Sequence, residues 1–151
     1  FVDGYRLVPG RQQGGEVSER IAQASAQLNI FTGRLLDEVN AEVKLRPLPA
    51  RRLLADRMLS LMVWLSQKRR DIPVEAIEDY CSQWLAGMGL TGQGALQTLS
   101  APDGRPVLIV RRKGCCLDYL LDPDRLCASC PKQDDAVRVA RQRANALAEL
   151  D

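Results

Sequence analysis

Cys115 and Cys116 are adjacent, and after ten further residues come Cys127 and Cys130, so four of the chain's five cysteines fall within sixteen positions. Thiols at that density either cross-link or bind a soft metal centre, and three chemistries compete. Disulfide frameworks belong to short, cysteine-dense secreted chains, whereas this chain has 151 residues, of which 46 % are hydrophobic. Structural zinc in a Cys₄ site usually joins two C-x₂-C knuckles. Cys127–Cys130 is one knuckle, but Cys115-Cys116 is not the other, and neighbouring side chains diverge unless a special turn, for which Gly114 is a candidate, brings them together. A [2Fe–2S] cluster spreads four thiolate ligands over a wider perimeter, which an adjacent pair and a C-x₂-C pair can serve. Spacing favours this third chemistry and leaves the other two open.

The surroundings suit an anionic centre. Arg111, Arg112 and Lys113 precede the cysteine pair, and a helix opening at Pro131 would turn free N–H groups toward Cys130. Both features would ease reduction. Arg125 adds a further charge between the pairs, and Asp118 and Tyr119 would order the loop. The fifth cysteine, Cys81, sits between Ile77 and Trp84 at helical spacing and reads as a buried structural thiol. Trp64 and Trp84 also fall at core spacing.

Much chemistry is excluded. The chain has no histidine, which removes His-based acid–base catalysis, Ser-His-Asp triads, two-histidine zinc sites and Rieske-type ligation. Gly87-Met88-Gly89-Leu90-Thr91-Gly92 matches G-x-G-x-x-G by letter, but a helical pattern precedes it where a dinucleotide fold needs a strand. It reads as a helix C-terminus and turn. A net charge of +2 gives no reason to expect nucleic-acid binding, and Lys68-Arg69-Arg70 reads as solvated surface. The longest apolar stretch, Leu53 to Leu65, is interrupted by Asp56 and Arg57, so no transmembrane segment is expected. Phe1-Val2-Asp3-Gly4 carries no secretory signal, although the opening without Met leaves a leader open.

The elements that must place the cysteines follow from periodicity. Residues 1–15 read as a loop or arm. Helical spacing begins near Glu16, with Ser18 as a cap and Ile21, Leu28, Phe31, Leu35 and Val39 on one face; Gly33 interrupts it. Pro47 and Pro49 punctuate the chain before a second helix from about Ala50 to Lys68, with Leu54, Met58, Leu61, Met62 and Leu65 inward. Pro73 starts a third, carrying Val74, Ile77, Cys81, Trp84, Leu85 and Met88. Leu96–Leu99 and Val107–Val110, joined by Ala101-Pro102-Asp103-Gly104, predict a β-hairpin. The final helix would bury Val137, Ala140, Ala144 and Leu147, with Asp134 and Asp135 at its positive end. The expected fold is mainly α (α+β), one domain over 1–151: arm 1–15, helical part 16–92, and a part 93–151 in which the hairpin leads into the cysteine loop and the terminal helix.

Gly114-Cys115-Cys116-Leu117-Asp118-Tyr119-Leu120 and Leu126-Cys127-Ala128-Ser129-Cys130-Pro131 resemble the C-terminal signature of the ferric-siderophore reductase family (FhuF-like proteins), which carries C-C-x₁₀-C-x₂-C. The motif-bearing resemblance covers about Arg105 to Pro131, and a weaker one extends upstream through Arg52–Asp56 and Trp84–Gly92. It implies a [2Fe–2S] cluster on Cys115, Cys116, Cys127 and Cys130, and a cytoplasmic reductase that passes one electron to a ferric siderophore. A ferredoxin, flavodoxin or flavin reductase would supply that electron, since the chain shows no flavin or nicotinamide site. Under this reading Arg111, Arg112 and Arg125 either tune the cluster or grip an anionic siderophore, Trp64 and Trp84 could shape a hydroxamate or catechol pocket, and peripheral membrane contact stays open. A non-enzymatic electron carrier or redox sensor, and a zinc-stabilised binding module, are the alternatives. The siderophore, the reduction potential, the donor and the oligomeric state are not written in the sequence.

Overall fold

The computed structural model describes residues 14–122 and 126–148. Nearly all of the expected N-terminal arm, and Arg125, lie outside the described residues. Among the described residues, four α-helices and one two-stranded antiparallel hairpin make the fold mainly α, as periodicity predicts.

Helix α1 (Val17–Glu42) has Glu16 at its N-cap position, so Ser18 lies inside the first turn and is not the cap. It also runs unbroken through Gly33, where the side-chain position opens onto empty space. Its contacts are mainly with α3 (Val74–Gly87), through Ile21 and Ser25, both buried. Ser25 faces Gly87 so closely that a Cβ on Gly87 would sit 1.9 Å from Ser25 Oγ. Phe31 and Val39, expected inward, are 45 % and 37 % exposed, because helix α1, at 26 residues, is longer than the 14-residue α3 it mainly packs on.

Helix α2 (Pro47–Lys68) begins three residues before the expected Ala50. Pro47 and Pro49 occupy the first turn, where a missing N–H costs no hydrogen bond. Its inner face is carried by Leu59 and Met62, while Leu61, expected inward, and Trp64 point out. Leu59 and Met62 join Ile77, Cys81, Leu108 and Val110 in the main core. Each fully buried aliphatic side chain there contributes about 1.5–3 kcal/mol.

Helix α3 ends at the glycines. Gly89 adopts φ +63°; its N–H donates to Ala86 O, and that of Leu90 to Leu85 O at 2.7 Å. This is the doubled bond of a Schellman end, and the helix–turn reading of the G-x-G-x-x-G letters holds. Strands β1 (Ala95–Ser100) and β2 (Pro106–Arg111) pair from Ala95↔Arg111 to Ser100↔Pro106. Gly104 at φ +82° closes the turn.

Helix α4 (Asp135–Ala148) starts four residues beyond Pro131, which therefore does not open it. Asp134 Oδ1 accepts from the N–H of Ala136 (2.9 Å) and Val137 (3.4 Å), an N-cap that satisfies the first turn. The buried positions are Arg138 and Ala146, and Gln142 Oε1 accepts from Val110 N–H. Val137 is half exposed: the helix lies on the hairpin rotated from the expected face, so that Gln142 and Ala146 meet β2.

Candidate metal centre in the cysteine segment

The hairpin base is seated on helix α2 by one carboxylate. Asp56 is 2 % exposed. Its Oδ2 accepts from Gly114 N–H at 2.8 Å, and its Oδ1 from Lys113 N–H at 3.3 Å. The approach is tight on both sides. A Cβ on Gly114 would lie 3.0 Å from Asp56 Oδ2 and from Leu53 N, and one on Gly94 2.8 Å from Leu59 Cδ1. Gly114 thus serves close packing against α2 rather than a turn between the cysteines. The left-handed residue is Leu117, at φ +65°, after which Asp118–Leu120 form a single 3₁₀ turn.

The three basic residues before the cysteine pair go separate ways. Arg111 reaches Asp135 at 3.8 Å from the surface. Lys113 Nζ donates to Gly92 O at 2.7 Å. Arg112 alone turns inward: its side chain is 14 % exposed, with Nε 3.5 Å from Asp56 Oδ2, and its Nη1 donates to Cys127 Sγ at 3.4 Å. Burial would lower its pKa, but the negative charge at Cys127, Asp56 and Cys116 outweighs that and keeps the guanidinium firmly protonated. Burial pushes the Asp56 carboxyl up from the usual range, against the two N–H groups and Arg112.

All five cysteines are free thiols, so the disulfide alternative is not what this structure shows. Cys81 is buried in the core and pushed up to about 12 by desolvation, in keeping with a structural thiol. Of the other four, Cys127 stands beside both Cys116 and Cys130. Cys116, the exposed member, and Cys127 hydrogen-bond through their side chains, and Cys130 lies within electrostatic reach of Cys127. The Asp118 N–H, followed by Arg112, draws the Cys116 thiol below its ordinary pKa. Burial raises that of Cys127, against Arg112. Cys115 and the buried Cys130 both act on Lys132, whose Nζ stands 4.6 Å over the Tyr119 ring. Among the described residues, no three His, Cys, Asp or Glu side chains close on one point as ligands of a single ion.

The C-x₂-C knuckle is tied from behind. Cys130 N–H donates to Cys127 O, and Gln133 Nε2 donates to Cys127 O at 2.7 Å and to Ala128 O at 3.3 Å. With Asp134 capping helix α4, the expected supply of helix N–H groups to Cys130 is not there. The charge facing the sulfurs comes from Arg112 and Lys132.

Sequence reasoning named Arg112 but not its anchor. In the sequence Asp56 is an interruption of an apolar stretch and the end of the weaker resemblance at Arg52–Asp56; the signal for more is a carboxylate three residues before a core leucine, on the same helical face. Gln133 and Lys132 carried no signal. Trp64 is half exposed rather than core. With Trp84 it borders a groove of about 550 Å³ between the helices, and it also borders a smaller cleft that reaches Ala128 and Ser129 of the knuckle.

Residues 112–132 match the family model of the FhuF 2Fe–2S C-terminal domain, in agreement with the resemblance carried by the cysteine spacing. The cofactor of this segment is accordingly a [2Fe–2S] cluster. The residues fit such a group: four reduced thiols, a guanidinium in contact with one of them, and a second cation beside two others. No solved structure matches the chain. No helix among the described residues is long and apolar enough to cross a membrane.

Proposed function

We propose that the chain is a ferric-siderophore reductase whose [2Fe–2S] cluster is held by Cys115, Cys116, Cys127 and Cys130. The observation that carries this reading is the match over residues 112–132, which contains all four cysteines. An adjacent pair and a C-x₂-C pair suit a bridged pair of irons better than one tetrahedral ion.

When bound, the cluster supplies a centre that takes up and gives back one electron. The siderophore's hard oxygen donors hold Fe³⁺ tightly and Fe²⁺ loosely, so one electron converts a stable chelate into a labile one. No side-chain proton transfer is needed, in keeping with a chain that has no histidine. The chain's own task is position and charge. Asp56 and Gly114 fix the loop, Gln133 fixes the knuckle, and Arg112 lies against the sulfurs.

The partner approaches from the side of Cys116, where Leu117, Leu120 and Leu121 are 53 %, 64 % and 87 % exposed. Arg111 stands at the surface to meet an anionic acceptor; Arg112 is engaged with Asp56 and Cys127 and tunes rather than grips. Electrons come from a ferredoxin, flavodoxin or flavin reductase, and the reaction belongs to the cytoplasm.

Substituting Cys127→Ser tests the reading. The variant is expected to lose both the visible cluster absorption and the reduction of a ferric hydroxamate. Reductase activity surviving without the cluster would overturn it.

A further inference from the structure

Asp56 is a charge in a place where charge is costly. A buried ion pair seldom stabilises a fold more than well-packed apolar side chains of similar volume, and Asp56 sits between Ala55 and Leu59, both within 1 % of complete burial. Its contacts run in one direction. Both carboxylate oxygens take N–H groups of the two residues that precede Cys115, and Oδ2 faces Arg112 Nε. The far end of that guanidinium bonds Cys127 Sγ and meets Cys116. Arg112 Nε is buried and makes no hydrogen bond of its own, so the ion pair with Asp56 is what orients the fork.

We propose that Asp56 is a positioning residue for the cluster: it aims Arg112 at Cys127 and Cys116 and thereby holds up the reduction potential. This rests on the reading that these cysteines hold the cluster. A cation against the ligand sulfurs favours the reduced, more negative state. The carboxylate's own charge acts oppositely, so the sign of the effect separates the two roles. If Asp56 acted only as a charge, removing it would raise the potential. As the anchor of Arg112, its removal lowers it.

The test is an anaerobic redox titration of the holo-protein, followed by visible absorption, for wild type, Asp56→Asn, Arg112→Gln and the double variant. Iron and sulfide are assayed first. Each single variant is expected to lower the ratio of reduced to oxidised cluster at a fixed potential by about tenfold, or about 59 mV for a one-electron couple. The double variant should shift no further than Arg112→Gln alone. A raised potential in Asp56→Asn, or full additivity in the double variant, overturns the inference. Should Asp56→Asn fail to fold, Arg112→Lys decides. An ammonium cannot bridge Asp56 and Cys127 as the planar fork does, so the potential should fall with iron content unchanged, and an unshifted potential counts against the proposal. A wild-type chain that takes up no cluster instead defeats the reading of the cysteines, and the iron and sulfide assay distinguishes that failure from the others.

Discussion

Asp56 Oδ2 and the backbone nitrogen of Gly114 lie 2.8 Å apart across 58 positions of chain, and at that bond helix α2 meets the cysteine segment. The contact leaves no room for a side chain at position 114. Its Cβ would press on Asp56 Oδ2 and on the backbone nitrogen of Leu53, both at 3.0 Å, and a helix backbone cannot swing aside as a flexible side chain can.

Gly114→Ala is therefore expected to cost about 1–3 kcal/mol, the usual penalty of overpacking, and to reduce iron bound per chain. Gly33→Ala is the control: it lies inside helix α1 with nothing within 4 Å, so it should stabilise by about 1 kcal/mol through helix propensity. Urea unfolding measures both. Equal and small effects would contradict the packing described at Gly114.

Leu117 holds φ +65° without being glycine, a conformation that costs an L-residue roughly 1–2 kcal/mol. Since its side chain is half exposed, little packing is lost on truncation. Leu117→Gly should raise stability by about 0.5–1 kcal/mol, after glycine's own entropy cost, with the cluster spectrum unchanged. A lower melting temperature would show that the leucine packs where this structure leaves it open.

What the sequence revealed and what it hid divide along a physical line. The cysteine spacing, the hairpin turn and the Schellman end at Gly89 are local, and each could be read from a few neighbouring residues. Which way a helix rolls is not local. Val137 and Phe31 fit an apolar stripe as well as Arg138 and Ser25 do not, yet the latter pair is buried, because the hairpin and Gly87 set the contact. Likewise Arg111, Arg112 and Lys113 are equivalent by type and differ only through Asp135, Asp56 and Gly92. Asp56 itself is visible as a carboxylate among apolar residues, but its partner lies 58 positions on, beyond α3 and the hairpin.

Gln133 should matter for the life of the cluster more than for the fold. Its amide ties Cys127 O and Ala128 O, bonds of about 1 kcal/mol each. Gln133→Ala is predicted to leave the circular dichroism spectrum intact and to speed cluster loss to a chelator several-fold. Unchanged loss kinetics would remove Gln133 from the site.

Cys81 supplies a pH prediction. Desolvation raises its folded-state pKa to about 12, above the roughly 8.5 of a free thiol. A raised pKa means that the contribution to stability is fully present below the unfolded value and is lost as pH climbs through the folded one. The protein should thus weaken between about pH 8.5 and 12, and Cys81→Ala should flatten that slope. At pH 8 the wild-type Cys81 should resist alkylation under native conditions and react on unfolding, as mass spectrometry of the labelled peptides would show. Rapid native labelling would contradict its burial.

The most direct measurement is electron paramagnetic resonance on anaerobically purified protein before and after dithionite, with iron, sulfide and zinc assayed on the same sample. Expected are a silent oxidised state, a one-electron signal on reduction, and iron and sulfide in equal amounts, all abolished together when Cys115, Cys116, Cys127 or Cys130 is replaced by serine. Colourless protein carrying one zinc and no iron, or an unaltered cluster after the replacement of any one of these cysteines, would contradict the cluster assignment.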